Sequence, residues 1–258
     1  MSIKTHPPCF LHIFLLLAFF STSGFASDLD KEKRWAEQIT DSLLDGEAVY
    51  LNDGKTDFLA IETQADKPKE TAIIVIHGIG IHPDWSMVIQ PLRVQLAEKG
   101  WSTLSLQMPI LANDASMDEY KPLIKEASPR IDAGITYLAK AGAKKVVIIA
   151  HSLGSLMASN YLAKMKSYQE TKIPIIAFIG IGMPADTVKH LTKIKLPVLD
   201  LYGEKDLATV LDSAPLRLKA AKHNKYYKQF KVPHANHFFE DQDDDLINIV
   251  TKALKTQD

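Results

Sequence analysis

The sequence contains 258 residues, of which 46% are hydrophobic and 24% are charged, and its formal net charge is −1. Such a chain is long enough for one domain with a substantial core and too short for two large domains. Its 30 basic and 31 acidic residues show no excess of basic residues for binding nucleic acid, so small molecules and other proteins are the expected partners. The composition also excludes collagen-like, disordered and disulfide-rich classes.

Residues 1–26 have the pattern of a secretory signal peptide. Lys4 precedes a short apolar run from Phe10 to Phe20, and the small residues Gly24 and Ala26 allow cleavage before Ser27. The alternative is a membrane anchor, but this run is shorter than the ~20 residues that a spanning helix needs. We therefore expect cleavage, no stable membrane span afterwards, and a location in the periplasm or outside the cell.

Thiol and metal chemistry are not expected after cleavage. Cys9 is the only cysteine, and it precedes the apolar run, whereas a lipid-modified cysteine would follow it. Its removal leaves no disulfide, thiol nucleophile or thiolate ligand. His77 and His82 lack a carboxylate or cysteine at a familiar spacing, so we interpret them as packing and loop residues. We predict no metal and no cofactor.

The predicted elements begin with a helix and a hairpin. Residues 28–45 carry apolar side chains at helical spacing. The segments Glu47–Leu51 and Phe58–Glu62 are predicted strands around a turn at Asn52–Gly54. We thus expect one domain over residues 27–258, in which residues 27–66 form an N-terminal helix and hairpin and residues 67–258 form the core that carries the site.

Apolar strands alternate with helices through the rest of the chain. The predicted strands are Thr71–His77, Ser102–Leu106, Lys145–Ala150, Pro174–Ile179, Pro197–Tyr202 and Tyr226–Val232. The predicted helices are Val88–Lys99, Asp118–Lys140, Leu153–Lys166 and Leu246–Leu254. This alternation predicts an α/β fold with a doubly wound, mostly parallel sheet that is covered on both faces. In such sheets, ligands bind beyond the carboxyl ends of the strands.

A nucleophilic serine is predicted directly after the strand Lys145–Ala150. Ser152 stands between that strand and a helix, and the small residues Ala150 and Gly154 permit the tight turn of a nucleophile elbow. The following helix directs the positive end of its dipole toward the serine. The alternative is an ordinary helix N-cap, but the position between an apolar run and a helix favours the elbow.

The orienting acid is expected on a loop after a later strand, because the order in this architecture is Ser, Asp or Glu, His. Asp206 follows the strand Pro197–Tyr202 and is our choice. Asp200 lies within that strand and is less able to reach the site, whereas Glu204 is the nearer rival. An ordinary turn aspartate is the alternative interpretation of Asp206.

The general base is expected after the last strand. His237 precedes two phenylalanines that could hold its ring, so we prefer it to His234, which lies closer to the strand end. His151, beside the serine, is interpreted as structural. His190 and His223 lie in charged, helix-like stretches and are expected to be solvated, as are the interrupted basic segments Lys164–Lys172 and Arg217–Lys231.

An oxyanion that forms during acyl transfer needs preorganised backbone N–H donors. In this architecture one donor belongs to the residue after the nucleophile, here Leu153, and the other to a glycine-rich loop after an earlier strand. The first buried strand ends in His77-Gly78-Ile79-Gly80, and Ile79 is our choice for the second donor.

The sequence resembles the α/β-hydrolase superfamily, and within it a bacterial group of exported proteins of uncharacterised function. The likeness runs from about Leu44 to the C-terminus, and Ala150 stands where glycine is usual. The segments that carry it are His77–Trp85, Pro91–Arg93, Gly100–Trp101, Gln107–Pro109, Ala150–Gly154, Gly203–Asp206 and Asn236–Phe239.

The resemblance implies an α/β-hydrolase fold and a carboxylesterase-like serine hydrolase that forms an acyl-enzyme through Ser152, Asp206 and His237. Lids in such enzymes often follow the sixth strand, but here only Gly180–Lys195 lies between two strands, so we expect no large lid domain. The loop Met108–Met117, with Met183 and Pro184, is the expected substrate wall, and Met108 and Met183 are the candidate substrate-binding residues.

The expected substrate is a small or exposed ester or another acyl compound. One alternative is a catalytically silent envelope protein that keeps the fold and binds a ligand or partner. Another alternative retains hydrolysis but makes the protein a peptidase or thioesterase. The sequence specifies neither the acyl group nor the oligomeric state.

Overall fold

One eight-stranded sheet organises the computed structural model, which describes residue 1 and residues 27–256. Apart from Met1, the predicted signal peptide lies outside the described residues. The strands are β1 (Glu47–Asn52), β2 (Asp57–Thr63), β3 (Thr71–Ile76), β4 (Thr103–Leu106), β5 (Lys145–His151), β6 (Ile175–Ile181), β7 (Val198–Lys205) and β8 (Tyr227–Asn236). The α-helices are α1 (Leu29–Ser42), α2 (Ile89–Glu98), α3 (Met117–Tyr120), α4 (Ala127–Lys140), α5 (Leu153–Lys164), α6 (Val188–Leu191), α7 (Ala208–Ala220) and α8 (Asp243–Leu254).

The strand order is β1-β2-β4-β3-β5-β6-β7-β8. β2 pairs antiparallel with β1 and β4, and every pairing from β4 to β8 is parallel. The predicted doubly wound, mostly parallel sheet is thus confirmed. The chain runs outward on both sides of β3, which makes the β3–β5 boundary the topological switch point where ligands bind in such folds. Within residues 27–256, none of the helices has the length and hydrophobicity of a membrane-spanning segment.

Two hydrophobic cores cover the two faces of the sheet. Side chains alternate along β3, so Ile74 packs on one face with residues of α4 and α5, including Leu156. Its neighbour Ile73 packs on the other face with residues of α2 and α8, including Leu92 and Leu246. Complete burial of each such side chain contributes about 1.5–3 kcal/mol. These cores pack against both faces of the sheet, and the carboxyl ends of the strands form the platform for the site.

The predicted helix Asp118–Lys140 is wrong as a single element. The chain forms α3, then a 3-10 helix over Lys121–Lys125, then α4. Pro122 lies in the 3-10 segment. Because proline lacks an N–H and its ring clashes with the preceding turn, a continuous α-helix through this position is disfavoured.

The expectation of solvated basic side chains is wrong for Arg217. This residue lies on α7 and is fully buried, and its Nε donates to Asp200 Oδ2 on β7 at 2.7 Å. Its Nη1 also donates to the carbonyl of Met183 at 2.9 Å. The burial has a physical reason: Asp200, itself buried, supplies the opposite charge that a buried guanidinium requires.

The expectation for His190 is also corrected, whereas His223 is exposed as predicted. His190 is half-buried, and its Nδ1 lies 3.0 Å from the hydroxyl of Ser159. Burial, together with the charge of nearby Lys189, lowers the pKa of His190 to about 4. The ring is therefore neutral near pH 7 and acts as a packing residue between α5 and α6.

Candidate active site

Loops at the carboxyl edge of the sheet bring Ser152, Asp206 and His237 together. The Ser152 hydroxyl donates to His237 Nε2 at 3.0 Å, and His237 Nδ1–H donates to Asp206 Oδ1 at 2.6 Å. An ionised carboxylate can only accept, so Asp206 fixes the imidazole proton on Nδ1. Nε2 is then free to take a proton from the serine, which is the geometry of a nucleophile, a base and an orienting acid.

The turn at Ser152 has the strained backbone of a nucleophile elbow. Its φ is +52° and its ψ is −123°, a conformation that side chains with a Cβ adopt at a cost of roughly 1–3 kcal/mol. Its N–H donates to the Ile181 carbonyl at 2.8 Å, which ties the turn to β6. A Cβ at Gly154 would lie 2.3 Å from the His77 carbonyl oxygen. Glycine at this position therefore lets α5 start directly against the end of β3.

Asp206 is held as a carboxylate. Burial alone would raise its pKa, but hydrogen bonding and charge interaction with His237 lower it. Two backbone donors lower it further: Gly203 N–H reaches Oδ2 at 3.1 Å, and Leu207 N–H reaches Oδ1 at 2.8 Å. The net result is a pKa below the ordinary aspartate value, so Asp206 is ionised near neutral pH.

The rival acid and base of the sequence lie together, away from the triad. Glu204 is exposed, and its Oε2 accepts from the His234 backbone N–H at 3.0 Å. The His234 side chain is 78% exposed and the Glu204 side chain is 45% exposed. His234 Nδ1 lies 3.7 Å from Glu204 Oε2. Asp200 is occupied by its buried ion pair with Arg217. None of these three residues contacts Ser152 or His237 in a hydrogen bond that the structure shows within residues 27–256.

Gly182 is a site residue that sequence reasoning missed. It follows β6 with a φ of +59°, and a Cβ there would lie 2.8 Å from His237 Cε1 and 2.9 Å from Nδ1. The imidazole thus lies directly against bare backbone. The available signal was a glycine immediately after β6, which is next to β5 in the sheet, but only the packing shows that this glycine faces His237.

The loop after β3 places Ile79 beside the serine turn. A Cβ at Gly78 would lie 2.9 Å from Ser152 Cβ, so this backbone lies against Ser152. The Gly78 carbonyl accepts from His77 Nδ1–H at 2.8 Å, and His77 Nε2 accepts from Met108 N–H at 2.9 Å. The Gly78 carbonyl and the Ile79 N–H belong to one trans peptide, so His77 also fixes the direction of that N–H.

His77 is a neutral structural link, as the loop-residue interpretation predicted. It is 1% exposed, and burial lowers its pKa to about 3. The second candidate oxyanion donor, Leu153, is the first residue of α5. Its N–H has no acceptor within the helix, because the first four N–H groups of an α-helix lack one.

Met108 and Met183 lie below the surface of the site. They are 1% and 0% exposed and pack in the core on the α4 and α5 side of the sheet. Apolar residues beside the triad that reach the surface include half-buried Phe238, which follows His237, exposed Leu207, which follows Asp206, and half-buried Ile79. An apolar rim of this kind suits an acyl group, whereas substrate contact by the two methionines stays a prediction.

The motif residues after β3 anchor the loop through side-chain contacts. Asp84 accepts from the buried guanidinium of Arg93. The His82 ring packs edge-on between Trp35 and Trp85, with centroid distances of 5.5 and 5.4 Å. Burial lowers the pKa of His82. Across the described part of the chain, no group of three or more His, Cys, Asp or Glu residues could hold a metal ion.

Comparisons with known proteins agree with this fold. A family model described as "Protein of unknown function (DUF3530)" matches residues 23–128 and 114–251. No curated protein matches the sequence. Among solved structures, esterase Est1E from Butyrivibrio proteoclasticus is 18% identical with a TM-score of 0.62, covering 82% of this chain and 98% of its own.

Two further structures extend the comparison. Esterase Pf2001 from Pyrococcus furiosus is 14% identical with a TM-score of 0.67, covering 85% of this chain and 94% of its own. A dienelactone hydrolase from Anabaena variabilis is 18% identical with a TM-score of 0.63, covering 80% and 95%. At these identities the likeness establishes the α/β-hydrolase fold, and the site must be judged on its own residues.

Proposed function

The chain belongs to the DUF3530 family of proteins of unknown function, and we propose that it is a serine hydrolase that cleaves an ester or related acyl bond. One observation carries the proposal: Ser152 Oγ, the His237 imidazole and the Asp206 carboxylate form a continuous hydrogen-bonded series of 3.0 and 2.6 Å. The strained turn at Ser152 and the ionised state of Asp206 support it. The fold shared with esterases is consistent with the same chemistry.

The first half-reaction would acylate the serine. His237 Nε2 takes the hydroxyl proton of Ser152 while Oγ attacks the acyl carbon. Asp206 stabilises the imidazolium that results, and the N–H groups of Ile79 and Leu153 receive the oxyanion of the tetrahedral intermediate. As the carbon–oxygen bond breaks, Nε2 returns the proton to the leaving alcohol, and an ester between the acyl group and Oγ remains.

The second half-reaction repeats these steps with water. His237 Nε2 takes a proton from water as the water oxygen attacks the acyl carbon of the acyl-enzyme. Collapse of the second tetrahedral intermediate returns that proton to Ser152 Oγ and releases the carboxylic acid. Each residue ends in the state in which it began, so the cycle consumes only ester and water.

The surroundings of the triad favour a small or exposed ester. Between β6 and β7 the chain forms only a 3-10 helix, Ala185–Thr187, and the four-residue helix α6. These elements are too small to enclose a long acyl chain. Activity should therefore be highest with acetate or butyrate esters and low with long-chain esters.

Steady-state kinetics test the proposal. The purified protein should hydrolyse p-nitrophenyl acetate and butyrate, and Ser152→Ala should lower kcat/KM by about 10³-fold or more. Ser42→Ala, the same change at an exposed serine on α1, serves as the control and should leave the rate unchanged. Hydrolysis of thioesters or peptides in preference to esters would change the substrate class, and a folded protein without turnover would favour a ligand-binding role.

We also propose that the protein is exported and processed. The support is the sequence of residues 1–26 alone, with its short apolar run and small residues before Ser27. Expression of the full-length chain in a bacterial host should yield a protein in the osmotic-shock fraction whose N-terminus is Ser27. An intact N-terminus in the membrane fraction would contradict cleavage.

A further inference from the structure

A second buried histidine, His151, lies beside the triad and has no part in the proposed proton transfers. It immediately precedes the nucleophile and is 1% exposed. Its Nε2–H donates to the backbone carbonyl of His237 at 2.9 Å, and its ring centroid lies 4.8 Å from that of His237. A buried polar side chain is normally present because it makes such a bond.

We infer that His151 is a positioning residue that fixes the backbone and ring of His237 through this hydrogen bond and ring contact. The inference rests on the proposed function of His237 as the base. His151 packs on one side of the His237 imidazole. The backbone of Gly182 also lies against this ring, so close that a Cβ at position 182 would clash with it. The Phe238 ring packs against both histidines, at 5.3 and 5.4 Å.

The backbone near His237 needs an external restraint. His234, near the end of β8, has a φ of +63°, and Phe239 and Asp241 in the loop that follows have φ values of +53° and +57°, all conformations that a Cβ disfavours. A segment of this kind holds its shape only where the surroundings determine it. The bond from His151 acts on the His237 peptide itself and therefore on the position of Nε2 relative to Ser152 Oγ.

The protonation state of His151 suits this role. Burial and the nearby charge of His237 lower the pKa of His151 to about 4, while the carbonyl bond and Asp206 oppose that change only in part. The ring is therefore neutral near pH 7 and keeps its one proton on Nε2, where the acceptor is. A cation here would instead oppose the imidazolium that must form on His237.

The other ring nitrogen of His151 shows which part of the side chain matters. Within the described residues, Nδ1 is buried without a hydrogen-bond partner. A Cβ at Gly78 would lie 3.1 Å from it, so the backbone after β3 covers this atom. The polar function of the side chain thus resides in Nε2–H. A replacement that keeps a donor at that distance should keep the function.

A comparison of glutamine with asparagine at position 151 tests whether the position of the donor matters. The Gln Nε2 can occupy the place of the imidazole Nε2, whereas the shorter Asn amide reaches only the place of Nδ1. With p-nitrophenyl acetate, His151→Asn should lower kcat by about 10–100-fold, because misplacement of a base by ~1 Å costs about 10²-fold. KM should stay unchanged, and His151→Gln should restore most of kcat. His223→Asn, the same change at an exposed histidine, is the control.

A second measurement is independent of turnover. The His237 Nδ1 proton, bonded to Asp206 at 2.6 Å, should give a low-field proton NMR signal that Asp206→Asn removes. The signal should persist in His151→Gln and broaden or vanish in His151→Asn. If His151→Asn does not fold, His151→Leu, which fills the site without a donor, takes its place.

The outcomes separate the two claims. Wild-type protein that shows the low-field signal but neither hydrolyses esters nor reacts with a fluorophosphonate would refute the proposed function, and the signal would still test the role of His151. Equal kcat and an equal NMR signal in the Gln and Asn variants would overturn the inference. A selective loss in Asn with rescue by Gln would support it, because general destabilisation would not follow the position of the donor.

Discussion

Replacement of Asp206 by asparagine is the substitution whose effect follows most directly from the geometry. The carboxylate accepts three bonds: from His237 Nδ1–H and Leu207 N–H at Oδ1, and from Gly203 N–H at Oδ2. An amide has one acceptor oxygen, so in either orientation its NH₂ faces a backbone donor. In one orientation the NH₂ also faces Nδ1 and forces the imidazole proton onto Nε2, where it blocks proton transfer from Ser152.

The negative charge of Asp206 determines how large the loss of kcat/KM should be. In the transition state His237 is cationic, and Asp206 Oδ1 lies 2.6 Å from its Nδ1. At an effective dielectric constant of about 20, unit charges about 4 Å apart attract by about 4 kcal/mol. Since about 1.4 kcal/mol corresponds to a tenfold change in rate, removal of this charge should lower kcat/KM by about 10³-fold. Inversion of the tautomer adds to that loss, and the same change in a serine protease triad costs about 10⁴-fold.

The assay is hydrolysis of p-nitrophenyl acetate by Asp206→Asn, with Ser152→Ala defining the background. Glu204→Gln is the matched control, because Glu204 is the neighbouring acid in the loop but is exposed and binds the His234 backbone. It should leave kcat/KM unchanged. Retention of more than about a tenth of wild-type kcat/KM by Asp206→Asn would refute the electrostatic reasoning, and a loss confined to Glu204→Gln would show that Glu204 is the acid.

Three further predictions address packing, pH and stability. Gly182→Ala should lower kcat by about 10²-fold by displacing the imidazole, whereas Gly54→Ala, also at a positive φ but with no atom within 4 Å of its Cβ, should cost stability without loss of activity. His77 has a pKa of about 3 in the fold and about 6.5 when unfolded. Between these pH values the unfolded chain binds more protons than the folded chain, so the contribution of His77 to the free energy of unfolding falls by about 1.4 kcal/mol per pH unit as the pH decreases. His77→Gln should therefore reduce the slope of stability against pH by that amount. Arg217→Met should destabilise the fold by about 3–5 kcal/mol, because it leaves a buried carboxylate unpaired.

Each of these has a measurement that decides it. Steady-state kinetics and thermal unfolding of the two glycine variants separate displacement of the base from backbone strain, and equal activity in both would contradict the packing argument. Urea unfolding from pH 4 to 7 gives the slope for His77→Gln, and an unchanged slope would show that the histidine is not buried neutral. Urea unfolding of Arg217→Met should be compared with Arg217→Met/Asp200→Leu, which should be the more stable of the two.

The order of chemistry-bearing residues along the chain could be predicted because parallel strands end at the same edge of the sheet. Ser152, Asp206 and His237 each follow a different strand, and the structure brings the three together, as their order predicted. Their catalytic roles stay proposals. The role of Gly154 could also be predicted from the sequence, because the tight turn at Ser152 requires a small residue at this position.

Contacts between loops could not be predicted, because no local pattern encodes them. Gly182 and His151 face His237 across the sheet edge, and nothing in their own segments identifies that partner. Arg217 was expected in solvent because it lies among other basic residues, but its partner Asp200 lies 17 residues earlier on a buried strand. Apolar residues recur at helical spacing on both sides of Pro122, so the sequence pattern did not show that the predicted helix is interrupted there.

Reaction with a fluorophosphonate, followed by peptide mapping, is the measurement that shows whether Ser152 is an activated nucleophile. The reagent forms a covalent bond with a serine only when a neighbouring base activates the hydroxyl. We expect that one phosphonyl group attaches to folded wild-type protein, that the modified peptide contains Ser152, and that Ser152→Ala and His237→Ala abolish labelling. Folded wild-type protein that remains unlabelled, or that is labelled equally after Ser152→Ala, would refute the role of Ser152 as the nucleophile.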